Sequence, residues 1–117
     1  MRIAIVSPSA TERSALYELL VGDGHQVAVA ATRAEALDLM SLAPPDTLIA
    51  DVQAGFEGQA WLRALAERGL TPRVILLCPR ATRSSVRDGI VCLTKPIELD
   101  QLRRSIMQAA PARSQVA

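Results

Sequence analysis

Three chemically active side chains close short apolar runs: Asp51 after Thr47-Leu48-Ile49-Ala50, Cys78 after Val74-Ile75-Leu76-Leu77, and Lys95 after Ile90-Val91-Cys92-Leu93-Thr94. Turn-forming residues follow each one: the loop Val52-Gln53-Ala54-Gly55-Phe56-Glu57-Gly58, Pro79, and Pro96. Apolar runs bounded in this way read as buried strands. In open parallel sheets ligands bind beyond the carboxyl ends of the strands, so an acid and an ammonium at two such ends are candidates to hold or transfer an anionic group. A simpler role for Asp51 is to cap its own turn through a side-chain oxygen. Cys78 and Cys92 lie in apolar surroundings with no CxxC spacing, which argues against zinc and predicts two reduced, packed thiols.

Other chemistries fail on their motifs. Gly22 and Gly24 begin a GxG, but Val27 stands where a third glycine belongs, and the run follows a helix rather than a strand. GxxxxGK[ST] and GxSxG are both missing, and the single histidine, His25, has no activated serine near it in sequence. A net charge of +1 and 3% aromatic residues argue against a nucleic-acid interface or an anionic membrane surface. No apolar run reaches the roughly 20 residues of a membrane span. Met-Arg-Ile-Ala-Ile-Val is too short for a secretory signal before Ser7-Pro8, so the expected location is the cytoplasm.

The elements that must position these residues follow from patterning. Arg2 to Val6 is a β-branched run without alternation, as in a strand covered on both faces. Ser9-Ala10-Thr11-Glu12 has capping-box spacing, and Leu16, Leu19 and Leu20 line the helix it opens, which Gly22-Asp23-Gly24 ends. His25 to Ala30 is a second strand. Thr32-Arg33-Ala34-Glu35 opens a second helix, burying Ala36, Leu37 and Met40 before Pro44-Pro45. A third helix from Gly58 buries Trp61, Leu62 and Leu65 and ends at Gly69. Between Arg80 and Asp88 the chain is polar and Arg-rich, which predicts a fourth helix that is short or irregular. Leu99, Leu102 and Ile106 mark a last helix to about Ala109 or Ala110. Five strands alternating with helices in 117 residues make one α/β domain over residues 1–110, a doubly wound parallel sheet with helices on both faces, and residues 111–117 read as a tail or linker.

The order of strand ends, with Asp51 closing the third strand, Gly58 in the loop after it and Leu93-Thr94-Lys95-Pro96 closing the fifth, resembles the receiver domain of bacterial two-component response regulators over residues 1–110. The resemblance implies a flavodoxin-like sheet of strand order 2-1-3-4-5, Asp51 as phosphoacceptor, and Lys95 and Cys78 as the residues contacting the phosphoryl group. It implies a signalling role rather than an enzymatic one.

The sequence departs from that family where the metal belongs. The acid pair expected after the first strand is Ser7-Pro8, and a phosphoryl group needs Mg²⁺ as well as a lysine to neutralise it, so Mg²⁺ binding is expected to be weak or absent. Cys78 replaces the hydroxyl residue closing the fourth strand, Cys92 the aromatic switch residue in the fifth, and Ala54-Gly55 the usual loop proline. The expected function is that of a pseudo-receiver acting through contacts with a histidine kinase or other signalling protein. A phosphorelay receiver phosphorylated on Asp51 is the alternative, and a redox-responsive module using Cys78 and Cys92 a third reading. Arg80, Arg83 and Arg87 suit a solvated loop or an acidic partner, and Arg103 and Arg104 an exposed helix face open to a homodimer contact.

Overall fold

The computed structural model describes residues 1–56, 60–79, 85–87 and 90–108. Its elements in chain order are β1 (Arg2–Val6), α1 (Ala10–Gly22), β2 (Gln26–Ala30), α2 (Arg33–Leu42), β3 (Thr47–Asp51), a single 3₁₀ turn (Val52–Ala54), α3 (Ala60–Glu67), β4 (Arg73–Cys78), β5 (Ser85–Arg87), β6 (Ile90–Thr94) and α4 (Leu99–Gln108). The sheet runs β2-β1-β3-β4-β6-β5. Its five longer strands are all parallel, in the order 2-1-3-4-5 of their succession along the chain. The expected doubly wound sheet is what forms.

The short strand β5 pairs antiparallel with β6 and is an addition to that plan. It lies in the stretch where the pattern predicted a short or irregular helix; residues 80–84, 88 and 89 fall outside the described residues. Gly58, the end expected for the last helix at residues 109–110 and the tail at 111–117 fall outside them too.

Burial explains the strand order. All five residues of β3 are buried, and in β1 only Arg2 is exposed. Such strands need cover on both faces and take central places. In β2 exposed and half-buried residues alternate, as suits an edge.

Side chains alternate across the sheet, which makes two cores. On one face Ala4, Val6, Leu48, Ala50 and Val74 meet Met40 of α2 and Phe56, Trp61 and Leu65 around α3. The small alanines leave room for the two rings, which pack edge to face at 5.3 Å between centroids. On the other face Ile3, Ile5, Ile49, Ile75, Leu77 and Leu93 meet Leu16 and Leu20 of α1 and Leu102 and Ile106 of α4. Each such side chain contributes about 1.5–3 kcal/mol when fully buried. Leu99 does not join the stripe predicted for the last helix: it sits at the first position of α4 and is 48% exposed.

The helix ends are fixed locally. Ser9 Oγ accepts from the Glu12 amide and Thr32 Oγ1 from the Glu35 amide, both at 3.2 Å. Arg103 donates to both carboxylate oxygens of Asp23, at 3.0 and 3.3 Å, and so ties α4 to the end of α1.

Candidate functional site

Register places the active groups at one end of the sheet. Asp51 lies level with Leu77 of β4, and Cys78 level with Thr94 of β6. Lys95 follows Thr94 directly, its amide donating to the Cys78 carbonyl at 3.0 Å and its peptide bond to Pro96 cis. Alternation turns Asp51 to the side of Ile49, the face covered by α1 and α4.

Asp51 is 2% exposed, and both of its oxygens are engaged. Oδ1 accepts from the Gln53 amide at 2.9 Å, capping the 3₁₀ turn. Oδ2 accepts from Lys95 Nζ at 2.5 Å. The turn-capping role and the strand-end charge pair therefore coexist in one carboxylate. Beyond the turn Gly55 adopts φ 97°, a left-handed conformation that disfavours side chains, and its carbonyl accepts from Arg33 Nη1 at 3.0 Å.

A second carboxylate enters from α1. Glu12 Oε2 lies 3.1 Å from Lys95 Nζ, so one ammonium serves two acids. Capping-box spacing had assigned this side chain to the Ser9 amide. In the structure Ser7 Oγ takes that amide at 3.1 Å, leaving half a box and freeing the Glu12 side chain to swing toward β6. Glu12 Oε1 is buried and has no hydrogen-bond partner among the described residues. The sequence signal available was its place in the first turn of the helix that follows Ser7-Pro8, the nearest acid to the vacated pair.

Burial depresses the Lys95 pKa, but its hydrogen bonds to Asp51 and Glu12 and their negative charges outweigh that, and the net shift is upward. The two acid-pair positions contribute no charge. Ser7 is sealed from solvent, its hydroxyl used by Ser9 and its carbonyl by Arg13 Nη1 at 2.7 Å, while Pro8 has no polar side-chain atom. Among the described residues no group of three or more His, Cys, Asp or Glu is placed to hold a metal ion. The carboxylates that meet at Lys95 are Asp51 and Glu12, and Ser7 and Pro8 add none.

The cysteines correct an expectation. They were predicted as reduced thiols, but Cys78 and Cys92 are joined by a disulfide. The reason is register: Cys92 lies level with Leu76, so Cys78 is its diagonal neighbour on the same face, with Cα atoms 6.3 Å apart, within the span that a disulfide bridges. The Cys78 sulfur is thereby committed to Cys92, on the face shared with Val74 and Leu76.

The sequence matches no protein-family model and no curated protein. Solved structures do match. The receiver domain of the hybrid histidine kinase CckA is 27% identical, with 93% of this chain and 98% of that one covered and a TM-score of 0.77. A response-regulator receiver domain protein from Clostridium thermocellum is 21% identical over 99% of this chain and 98% of its own, with a TM-score of 0.79. One from Bacillus halodurans is 22% identical over 96% and 98%, with a TM-score of 0.77. With its five parallel strands in the order 2-1-3-4-5, this chain has the flavodoxin-like fold of response-regulator receiver domains.

Proposed function

We propose that this is an atypical receiver, a pseudo-receiver in a phosphorelay signalling system that works by protein contact, with Mg²⁺-dependent phosphorylation weak or absent. The observation that carries this reading is the single ammonium of Lys95 shared by Asp51 and Glu12, with Ser7 and Pro8 in place of the acid pair. Phosphoryl transfer to Asp51 would add negative charge beside Glu12, and without a dication the cation that the described residues bring to Asp51 is Lys95. The domain is not an enzyme. Its partner is a histidine kinase, another signalling protein or a second copy of the chain, and it acts in the cytoplasm without touching nucleic acid or membrane. No helix among the described residues is long and apolar enough to cross a membrane.

The test is incubation with Mg²⁺ and acetyl phosphate followed by intact-mass measurement. The mass should stay unchanged; a stoichiometric phosphoryl adduct on Asp51 defeats the reading. The second reading, a working phosphoacceptor, is favoured by the direct Asp51–Lys95 pair. It requires that Asp51→Asn abolish the signalling phenotype, and an unaltered phenotype excludes it.

A further inference from the structure

The Cys78–Cys92 pair has a placement that neither core packing nor the Asp51 crevice accounts for. The bond joins strands already held by a parallel ladder from Val74 opposite Ile90 to Cys78 opposite Thr94. It adds no topology, and breaking it leaves that ladder intact. The two residues also differ in exposure: Cys78 is 4% exposed, whereas Cys92 is half-buried. The carbonyl of Cys78, the same residue that carries the bonded sulfur, receives the amide of Lys95 at 3.0 Å, and the Lys95 ammonium in turn holds Asp51.

We propose that Cys78–Cys92 is a thiol–disulfide exchange site, entered at Cys92 by an external dithiol and linked through the Cys78 carbonyl to Lys95. It stands apart from the question of phosphorylation, since no step uses Asp51. A thiolate of the dithiol attacks Cys92 Sγ, a new S–S bond forms there, and the Cys78–Cys92 bond breaks with its electron pair leaving on Cys78 Sγ, which takes a proton from solvent. The second thiol of the dithiol, losing its proton to solvent, then attacks its own partner sulfur. Cys92 departs as a thiolate that is protonated in turn. The dithiol is oxidised to a cyclic disulfide, losing two electrons and two protons, and the domain gains both. Attack at Cys92 is favoured because exchange needs an in-line approach to sulfur, which the buried Cys78 does not offer. Opening the bond removes the side-chain tie between β4 and β6 at the residue whose carbonyl receives the Lys95 amide, while the backbone ladder stays paired.

The test begins with the unaltered, air-oxidised protein in native buffer. Dithiothreitol is added, aliquots are quenched with an alkylating agent, and intact masses are followed with and without low urea. Expected are a gain of two alkyl groups, a rate independent of low urea, and a transient adduct mapped to Cys92. A disulfide reduced only as fast as the protein unfolds, or two cysteines that alkylate before any reductant is added, overturns the proposal. In Cys78→Ser, mixed-disulfide formation with oxidised glutathione at Cys92 should run about tenfold faster than at Cys78 in Cys92→Ser. Equal rates in folded variants overturn the assigned entry point. Hydrogen exchange at the Lys95 amide should speed up on reduction; an amide protected equally in both states overturns the link.

Discussion

Replacing Lys95 by Met keeps the aliphatic stem and deletes the ammonium that Asp51 and Glu12 share. Asp51 then remains nearly sealed, with Oδ1 still held by the Gln53 amide but Oδ2 facing a second carboxylate without a cation. Removing one side of a fully buried pair costs about 3–5 kcal/mol, and losing a surface pair about 0–1 kcal/mol. With 31% of the Lys95 side chain and 22% of Glu12 exposed against 2% of Asp51, the loss should fall between, at about 2 kcal/mol. Urea unfolding at neutral pH reads this as a fall of roughly 1 M in midpoint, for a typical urea dependence of 1–3 kcal/mol per molar. Adding Asp51→Asn to Lys95→Met removes the stranded charge and should recover part of the loss, while the Asn side-chain oxygen still accepts from Gln53. A Lys95→Met variant as stable as the parent, or a double variant no better than Lys95→Met alone, would refute the charge balance argued for this crevice.

Lys95 is the sole lysine and Tyr17 the sole tyrosine of the chain, which makes alkaline titration readable. Because the folded Lys95 pKa is raised above the ordinary 10.5, its contribution is complete below that pH and is lost as pH climbs through the folded value. In a Tyr17→Phe background, thermal melts should show an alkaline decline that disappears with Lys95→Met. Gly55→Ala should cost about 1–2 kcal/mol, since its φ is 97° and a Cβ would sit 3.4 Å from Arg33 Cβ; chemical denaturation measures it. Reducing Cys78–Cys92, which closes a loop of sequence separation 14, should lower stability by up to about 3 kcal/mol on the chain-entropy account, with far-UV circular dichroism retained. Ser9→Ala should cost about 1 kcal/mol by unmasking the Glu12 amide, again read by urea midpoint.

Much of this architecture is visible in the sequence because buried parallel strands announce themselves as unbroken apolar runs. Asp51 and Lys95 each terminate such a run, and their meeting follows from strand order alone. Glu12 was hidden because its spacing satisfied a local rule; only the capture of the Ser9 amide by Ser7 Oγ, a contact set by the path of the chain after β1, redirects it. The pairing of Cys78 with Cys92 ranked below reduced thiols in the sequence for a different reason. Strand adjacency is legible, but the two-residue offset that puts Cys78 diagonal to Cys92 belongs to register, which composition does not encode. Ser85–Arg87 went unforeseen as strand because Ser-Val-Arg carries little intrinsic preference, and pairing with β6 decides it.

The parallel sheet works as a partition. The ion pair lies on the side covered by α1 and α4 and the disulfide on the opposite side, with the hydrogen-bonded backbone of the sheet between them. At the end of β4 and β6 the amide of Lys95, whose side chain serves the ionic side, donates to the carbonyl of Cys78, whose side chain serves the sulfur side. On the exchange proposed for Cys78–Cys92, a thiol signal received on one side of the sheet would reach the lysine on the other through that one backbone contact.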